Sequence, residues 1–387
     1  MAKQTWVITD VARGIALEEL TLTSGMTSAI PKDVCIAKRT LRGGLQDGVD
    51  VIEVNNGRFR FLVIPTRGMG IWRAWLGDVQ LGWQAPVHGP VHPRWVNLWE
   101  PSGLGWLDGF DELLVRCGLE SNGAPEFDDN GLLRYPLHGK IANRPACRVE
   151  VYVDNETGEI GIHGEVYETR LFFTKLKLTT QVQTTVGSPS LSITDTVTNL
   201  AAVPGEMELL YHINFGPPIL QPGSKVALPI KRLAPRDPVA AAEIDRWDQY
   251  GAGVPGKPET AYFAQPLGDG RGHTLAMLHN EAGTHGVRVD FNTTELPFFT
   301  LWKNEQPLCD GYVTGLEPAV NFPNRRSFEK MKGRVIGLQP GESRRFTVGI
   351  TALPSSDTVL AAREEILRLQ TQAPPVVLRE PCPDWSP

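Results

Sequence analysis

Between Leu176 and Val186 the chain alternates. Leu176, Leu178, Val182 and Val186 fall on one side, and Lys175, Lys177, Gln181 and Gln183 on the other. A period of two over that length belongs to a β-strand with one face in a core and one in water. Gly187-Ser188-Pro189 breaks the pattern. The return segment then puts Leu191, Ile193 and Val197 opposite Ser192, Thr194, Thr196 and Thr198. The pair predicts an antiparallel hairpin. Shorter alternations predict strands near 58–65, 146–153, 159–168, 206–212, 273–279, 298–303 and 344–351. With 39 glycines and 31 prolines, turns are frequent and long helices disfavoured. Only 357–370 reads as a helix, with Ser355 or Ser356 as N-cap and Val359, Leu360, Ile366 and Leu367 as its apolar face. Nothing marks a linker before residue 353. The expectation is an all-β chain: one large domain over 1–352, then a short C-terminal helix and proline-rich tail over 353–387, packed on it or extending from it.

The net charge of -6 gives no reason to expect nucleic acid or an anionic membrane as partner. No apolar run approaches the roughly 20 residues of a membrane helix. The start, Met1-Ala2-Lys3-Gln4-Thr5-Trp6, lacks the apolar core of a secretory signal. Five scattered cysteines without a Cys-x-x-Cys pair fit reduced thiols. A cytoplasmic location is therefore expected.

Three segments carry the chemistry: Pro136-Leu137-His138-Gly139, Leu210-Tyr211-His212-Ile213-Asn214-Phe215 and Gly315-Leu316-Glu317-Pro318. Histidine titrates near neutral pH, and a carboxylate can act as its partner base. Blander readings stand beside this one. His138 can close a turn, His212 can be a bonded core histidine, and Glu317 an ion-pair partner on an edge strand. Six of the ten tryptophans (Trp72, Trp75, Trp83, Trp95, Trp99 and Trp106) lie within 72–106. An indole can stack on the C–H face of a sugar while its N–H donates a hydrogen bond. Trp95, Trp99 and Trp106 are the candidates for ligand contact, with core packing as the alternative. The irregular stretches 83–110 and 229–258 are where a β-scaffold tends to carry sites. Gly251-Ala252-Gly253-Val254-Pro255-Gly256 fits G-x-G-x-x-G literally, but it joins no clear strand to a helix and reads as a loop. His88 and His92 are four apart, but the surrounding Gly89, Pro90 and Pro93 rule out a helix that would bring them together on a metal.

At His138, His212 and Glu317 the sequence resembles the aldose 1-epimerase (galactose mutarotase) superfamily, most closely its aldose-1-epimerase-like branch. Further matching elements are Pro65-Thr66-Arg67-Gly68-Met69-Gly70-Ile71, Cys117-Gly118-Leu119 and Leu137-His138-Gly139-Lys140-Ile141. The likeness runs from about residue 30 to 352. It implies a galactose mutarotase-like β-supersandwich around an open sugar cleft. It implies that His212 is the general acid toward the ring oxygen and Glu317 the general base at the anomeric hydroxyl. His138 would polarise or orient the sugar, and Arg67 would bind a hydroxyl. It needs no metal and no nicotinamide cofactor. The Arg-Asn element of standard galactose mutarotases has no recognisable counterpart, so the sugar itself stays open. Cations converging on the cleft, such as Arg67, Arg116, Arg134 or Lys303, would favour an acidic sugar. The functional expectation is an isomerase that interconverts sugar anomers. The alternatives are another sugar isomerase or lyase on the same scaffold, and a non-catalytic carbohydrate-binding protein.

Overall fold

Alternation becomes strand where the sequence predicts it, and the strands run longer. In the computed structural model, which describes residues 3–26 and 30–387, Lys175–Thr185 and Ser190–Asn199 form the hairpin, with Gln183 opposite Ser192 and Leu176 opposite Asn199. Burial alternates residue by residue along both strands. Val186, read as the last core residue, lies past the strand end and is exposed. The other alternations become Phe59–Ile64, Ala146–Asp154, Glu159–Thr169, Gly205–Phe215, His273–His279, Phe298–Asn304 and Ser343–Leu353. Met1 and Ala2, the first two residues of the N-terminal stretch considered above, lie outside the described residues.

The hairpin belongs to a ten-stranded sheet. A second sheet of fourteen strands faces it. The main core lies between them: Leu178, Val182 and Ile193 come from the first sheet, and Ile71, Tyr211, Ile213 and Leu316 from the second. The result is a β-sandwich. Five adjacent strands form the middle of the second sheet: β1 (Leu114–Leu119), β2 (Gly205–Phe215), β3 (Thr260–Pro266), β4 (Phe298–Asn304) and β5 (Val313–Ala319), in the spatial order β3-β4-β5-β2-β1. Both β2 and β5 are buried on both faces. Their outer face is roofed by a second cluster in which Val115, Leu210, Val313 and Ala319 pack under Trp83, Trp106 and Phe110.

One buried ion pair joins the sheets. Arg116 of β1 points inward and grips Asp195 of the opposite sheet with two nitrogens, Nη2 to Oδ1 at 2.9 Å. Tyr211 donates its hydroxyl to the same carboxylate at 2.8 Å, and Thr180 accepts from the guanidinium at 2.8 Å. The remaining Nη1 donates to the carbonyls of Gly68 and Met69. Arg116 therefore faces away from any cleft.

The C-terminal helix is Ser356–Gln370, capped by reciprocal bonds between Ser355 and Thr358. Its buried face is Val359, Ala362, Ile366 and Leu369, packed on Leu275, Met277 and Leu353. Leu360 and Leu367, predicted on that face, are exposed. Each is one residue past the buried row, about 100° around the helix. The tail returns to the sheet: Val376–Val377 pairs in parallel with Ile230–Pro235, and Cys382 and Trp385 bury against Ala234, Phe263 and Phe322. Two short helices that the sequence did not signal, Pro238–Ala242 and Arg326–Met331, punctuate the loops. Among the described residues no helix is long and apolar enough to cross a membrane.

Removing one partner of a buried ion pair leaves the other charge uncompensated, at about 3–5 kcal/mol. Asp195→Ala should lower the unfolding free energy by that amount in urea titrations. Replacing both partners with an apolar pair, Arg116→Met with Asp195→Leu, should recover only part of the loss, because Tyr211 and the Gly68 and Met69 carbonyls then lose their partners.

Candidate active site

Period-two geometry places the site. Tyr211 and Ile213 belong to the inter-sheet core, so His212 between them projects to the outer face. The same parity puts Glu317 of β5 outward, next to the core residue Leu316 and opposite Thr300 of β4. His212 Nε2 and Glu317 Oε1 are 3.2 Å apart, and both side chains are almost fully buried. Glu317 lies on an interior strand, not on an edge. Its carboxyl folds back over Gly315: a Cβ there would stand 2.2 Å from Oε1. Glycine two residues upstream is therefore a condition for this position of the carboxyl.

The tautomers follow from the partners. His212 Nδ1 faces Asn214 Oδ1 at 2.6 Å. The Asn214 amide nitrogen is committed to the carbonyls of Glu112 and His212, so the oxygen is the end turned to the ring. An acceptor there requires the hydrogen on Nδ1, which leaves Nε2 as the ring nitrogen turned to Glu317. His138 makes a parallel arrangement, with Nδ1 2.8 Å from the carbonyl of Asn122, which leaves its Nε2 bare. His138 adopts φ 55° and Gly139 φ 72°. A Cβ at Gly139 would meet the Ser121 carbonyl at 2.0 Å, so only glycine fits this turn. The two imidazoles stand 5.5 Å apart and nearly perpendicular.

Burial dominates the electrostatics. It pushes Glu317 well above the usual carboxyl range, and the Glu259 carboxylate adds to the shift. It pulls His212 well below the usual imidazole range, assisted by His138. Burial also lowers His138. Both directions favour the uncharged form of each group.

A cavity of about 310 Å³ opens over the pair, walled by Trp106, Phe110, Leu137 and Trp302. Its far side carries Arg236 and Glu259, bonded to each other at 2.9 Å. Arg236 also donates to Asp237 at 2.8 Å, and the Trp302 indole donates to Glu259 at 2.6 Å. Trp106 Nε1 and Thr300 Oγ1, in the same lining, have no hydrogen-bond partner among the described residues.

The structure thus brings together His138, His212, Glu317 and Trp106. It does not bring the other predicted ligand contacts there. Trp95 is half exposed beside Arg94. Trp99 lines a separate groove with Lys140, Arg144 and Arg170. Arg67 is fully buried, held by Glu112 at 2.6 Å, Asn143, and the carbonyls of Val91 and Gly109. It anchors the tryptophan-rich loop instead of facing a ligand. Lys303 is buried under Tyr250, donating to the Gln249 carbonyl at 2.6 Å. Its neighbour Trp302 is the β4 residue with outward parity. Arg134 is exposed over Tyr135. Four cleft residues, Arg236, Glu259, Thr300 and Trp302, are not among the sequence candidates. Arg236 lies in the irregular stretch 229–258, and Trp302 and Thr300 share a face in a predicted strand. Nothing local singles out Glu259. Among the described residues no group of three His, Cys, Asp or Glu side chains could hold a metal ion.

A family model described as a domain of unknown function, DUF4432, matches residues 46–352. The crystal structure of a Klebsiella pneumoniae protein, provisionally named an aldose 1-epimerase, superposes with a TM-score of 0.94 at 35% identity, covering 98% of this chain and 99% of that one. A galactose mutarotase-like protein from Clostridium acetobutylicum is similar at TM-score 0.58 and 14% identity, over 84% of this chain and 100% of that one. A third structure, from Escherichia coli K12 and also provisionally named an aldose 1-epimerase, reaches 0.50 at 14% identity, over 79% and 99%. No curated protein matches the chain.

The raised Glu317 makes a signed prediction. Above its unfolded value of 4.5 the folded protein binds more protons than the unfolded chain, so its contribution to stability falls as pH rises. Glu317→Gln removes that dependence. The variant's stability relative to the parent should therefore grow from pH 4.5 toward mildly alkaline pH, measured as urea midpoints across the range.

Proposed function

Because the chain belongs to the DUF4432 family within the aldose 1-epimerase superfamily, we propose that it interconverts the anomers of a neutral aldose by proton transfer through His212 and Glu317. The observation that carries this reading is the buried 3.2 Å approach of His212 Nε2 to Glu317 Oε1. Mutarotation needs one proton delivered to the ring oxygen and one taken from the anomeric hydroxyl. With the proton on His212, Glu317 is the base. It takes the C1 hydroxyl proton as His212 Nε2 gives its own to the ring oxygen. The C1–O bond of the ring breaks and the C1 carbonyl forms. Rotation about the C1–C2 bond and reversal of both transfers closes the other anomer. The pair begins and ends with one proton, so no net charge enters or leaves the buried site, where a net charge would be costly.

Substrate recognition follows from the lining. The bare Nε2 of neutral His138 accepts from a sugar hydroxyl. The Trp106 indole N–H and Thr300 hydroxyl supply further bonds, and the Trp106 and Trp302 faces suit a pyranose C–H face. Among the described residues Arg236 is the one cation in the lining, and two carboxylates already engage it. That favours an uncharged sugar over an acidic one.

General acid–base groups contribute roughly 10²- to 10⁴-fold each. Glu317→Gln and His212→Asn should each lose anomer exchange by that range, measured by NMR on a panel of aldoses, while remaining folded. A folded Glu317→Gln protein with parental rates on its best sugar would defeat the assignment. The pH profile of kcat/KM should fall on the acid side where His212 gains a second proton, well below 6.5. It should fall on the basic side where Glu317 loses the shared one, well above 4.5.

Gly315→Ala tests the seat of the carboxyl. Its added Cβ overlaps Oε1, so exchange should drop about as far as in Glu317→Gln, although no titrating group is removed. Parental rates in Gly315→Ala would show that the carboxyl acts from another position.

A further inference from the structure

A second groove, of about 590 Å³, shares a wall with the cleft. Trp83 lines the groove, Phe110 lines the cleft, and their rings lie 4.9 Å apart. The groove's interior is polar in an unusual way. Asp111 is 5% exposed. Its Oδ2 accepts the Trp72 indole N–H at 2.8 Å, and its Oδ1 has no partner among the described residues. Gly89 closes over this carboxyl: a Cβ there would stand 2.1 Å from Oδ2. Arg73 also lines the groove, with its guanidinium over the Trp72 ring at 4.6 Å. Its Nε is buried and likewise has no partner among the described residues. Arg73 is close enough for its charge to act on Asp111, although burial still raises that carboxyl to about 7.

Buried polar groups without partners are rare and costly. Here one buried acceptor and one buried donor, on two residues that line the same groove, are left without a partner among the described residues. A cation would be opposed by Arg73, and an anion by Asp111 in its charged form. The complementary ligand is neutral and both gives and takes a hydrogen bond. A vicinal diol does this, and its ring C–H face suits the Trp83 indole. We propose that this groove is a second carbohydrate site, in which one hydroxyl donates to Asp111 Oδ1 and its neighbour accepts from Arg73 Nε. The site stands apart from His212 and Glu317, so the inference does not rest on the catalytic reading.

The test uses methyl α-D-glucopyranoside and methyl β-D-galactopyranoside. Neither has a free anomeric hydroxyl, so neither can be turned over. The indole N–H signals of the full-length protein, assigned by Trp→Phe variants, are followed by nitrogen–proton correlation NMR during titration. Trp72 reports the groove, because its N–H bonds Asp111, and Trp106 and Trp302 report the cleft. With at least one glycoside, the Trp72 signal should shift with its own midpoint. In Asp111→Asn and in Arg73→Gln that midpoint should rise by about tenfold, the scale of one lost hydrogen bond to a charged group. The Trp106 and Trp302 midpoints should stay unchanged, which also shows the variants to be folded. A Trp72 signal that does not move with either glycoside overturns the proposal. So does one that moves only with the cleft midpoint and ignores both substitutions.

Discussion

Arg116 and Asp195 hold the two sheets in register at the point where the site is built. The guanidinium spends all its donors: Nε and Nη2 on Asp195, Nη2 also on Thr180, and Nη1 on the Gly68 and Met69 carbonyls. Those carbonyls are available because Gly68 and Met69 take positive φ. At Gly68 any Cβ would stand 2.4 Å from the Ile141 carbonyl. One charged residue thus ties the turn, β1 and the opposite hairpin together. Bidentate pairing and full satisfaction of donors make such a burial tolerable.

Arg67, in the same turn, does the same for the outer face. Its bonds to Glu112, Asn143, Val91 and Gly109 fix both ends of the segment that carries Trp106 and Phe110 over the cleft. The two arginines point in different directions from neighbouring elements. One sets the distance between the sheets and the other sets the roof. The His212–Glu317 pair depends on both, because its shifted proton affinities come from burial between the sheet and that roof.

That exclusion has opposite effects on stability and chemistry. A protonated Glu317 and a neutral His212 are what an apolar site prefers. The charged arrangement, with the proton on His212, differs from it by one short transfer. Burial shifts the balance between the two arrangements toward the uncharged one, relative to water. The fold gives up some stability at higher pH to hold a carboxyl poised in this way, a common pattern where titrating groups serve a reaction.

Much of this was determined by the sequence alone. Alternation along 176–198 specifies strands, because a period of two can bury only one face. The parity of Tyr211-His212-Ile213 and Leu316-Glu317 turns His212 and Glu317 each to the side of its strand opposite these apolar neighbours. Gly315 and Gly139 are required by local geometry and stand in the motifs themselves. The tertiary structure decided what lies opposite. Arg67 and Lys303 look like ligand cations in sequence. Each instead finds buried oxygens, Glu112 for one and the Gln249 carbonyl for the other, that come from distant segments. Trp95 and Trp99 share a segment with Trp106, but irregular backbone has no period from which to read a direction. Glu259 and Arg236 reach the cleft because β3 lies two strands from β5, a neighbour relation set by sheet order. Local pattern fixes which way a side chain points from its own strand. Only the assembled sheet fixes what it meets there.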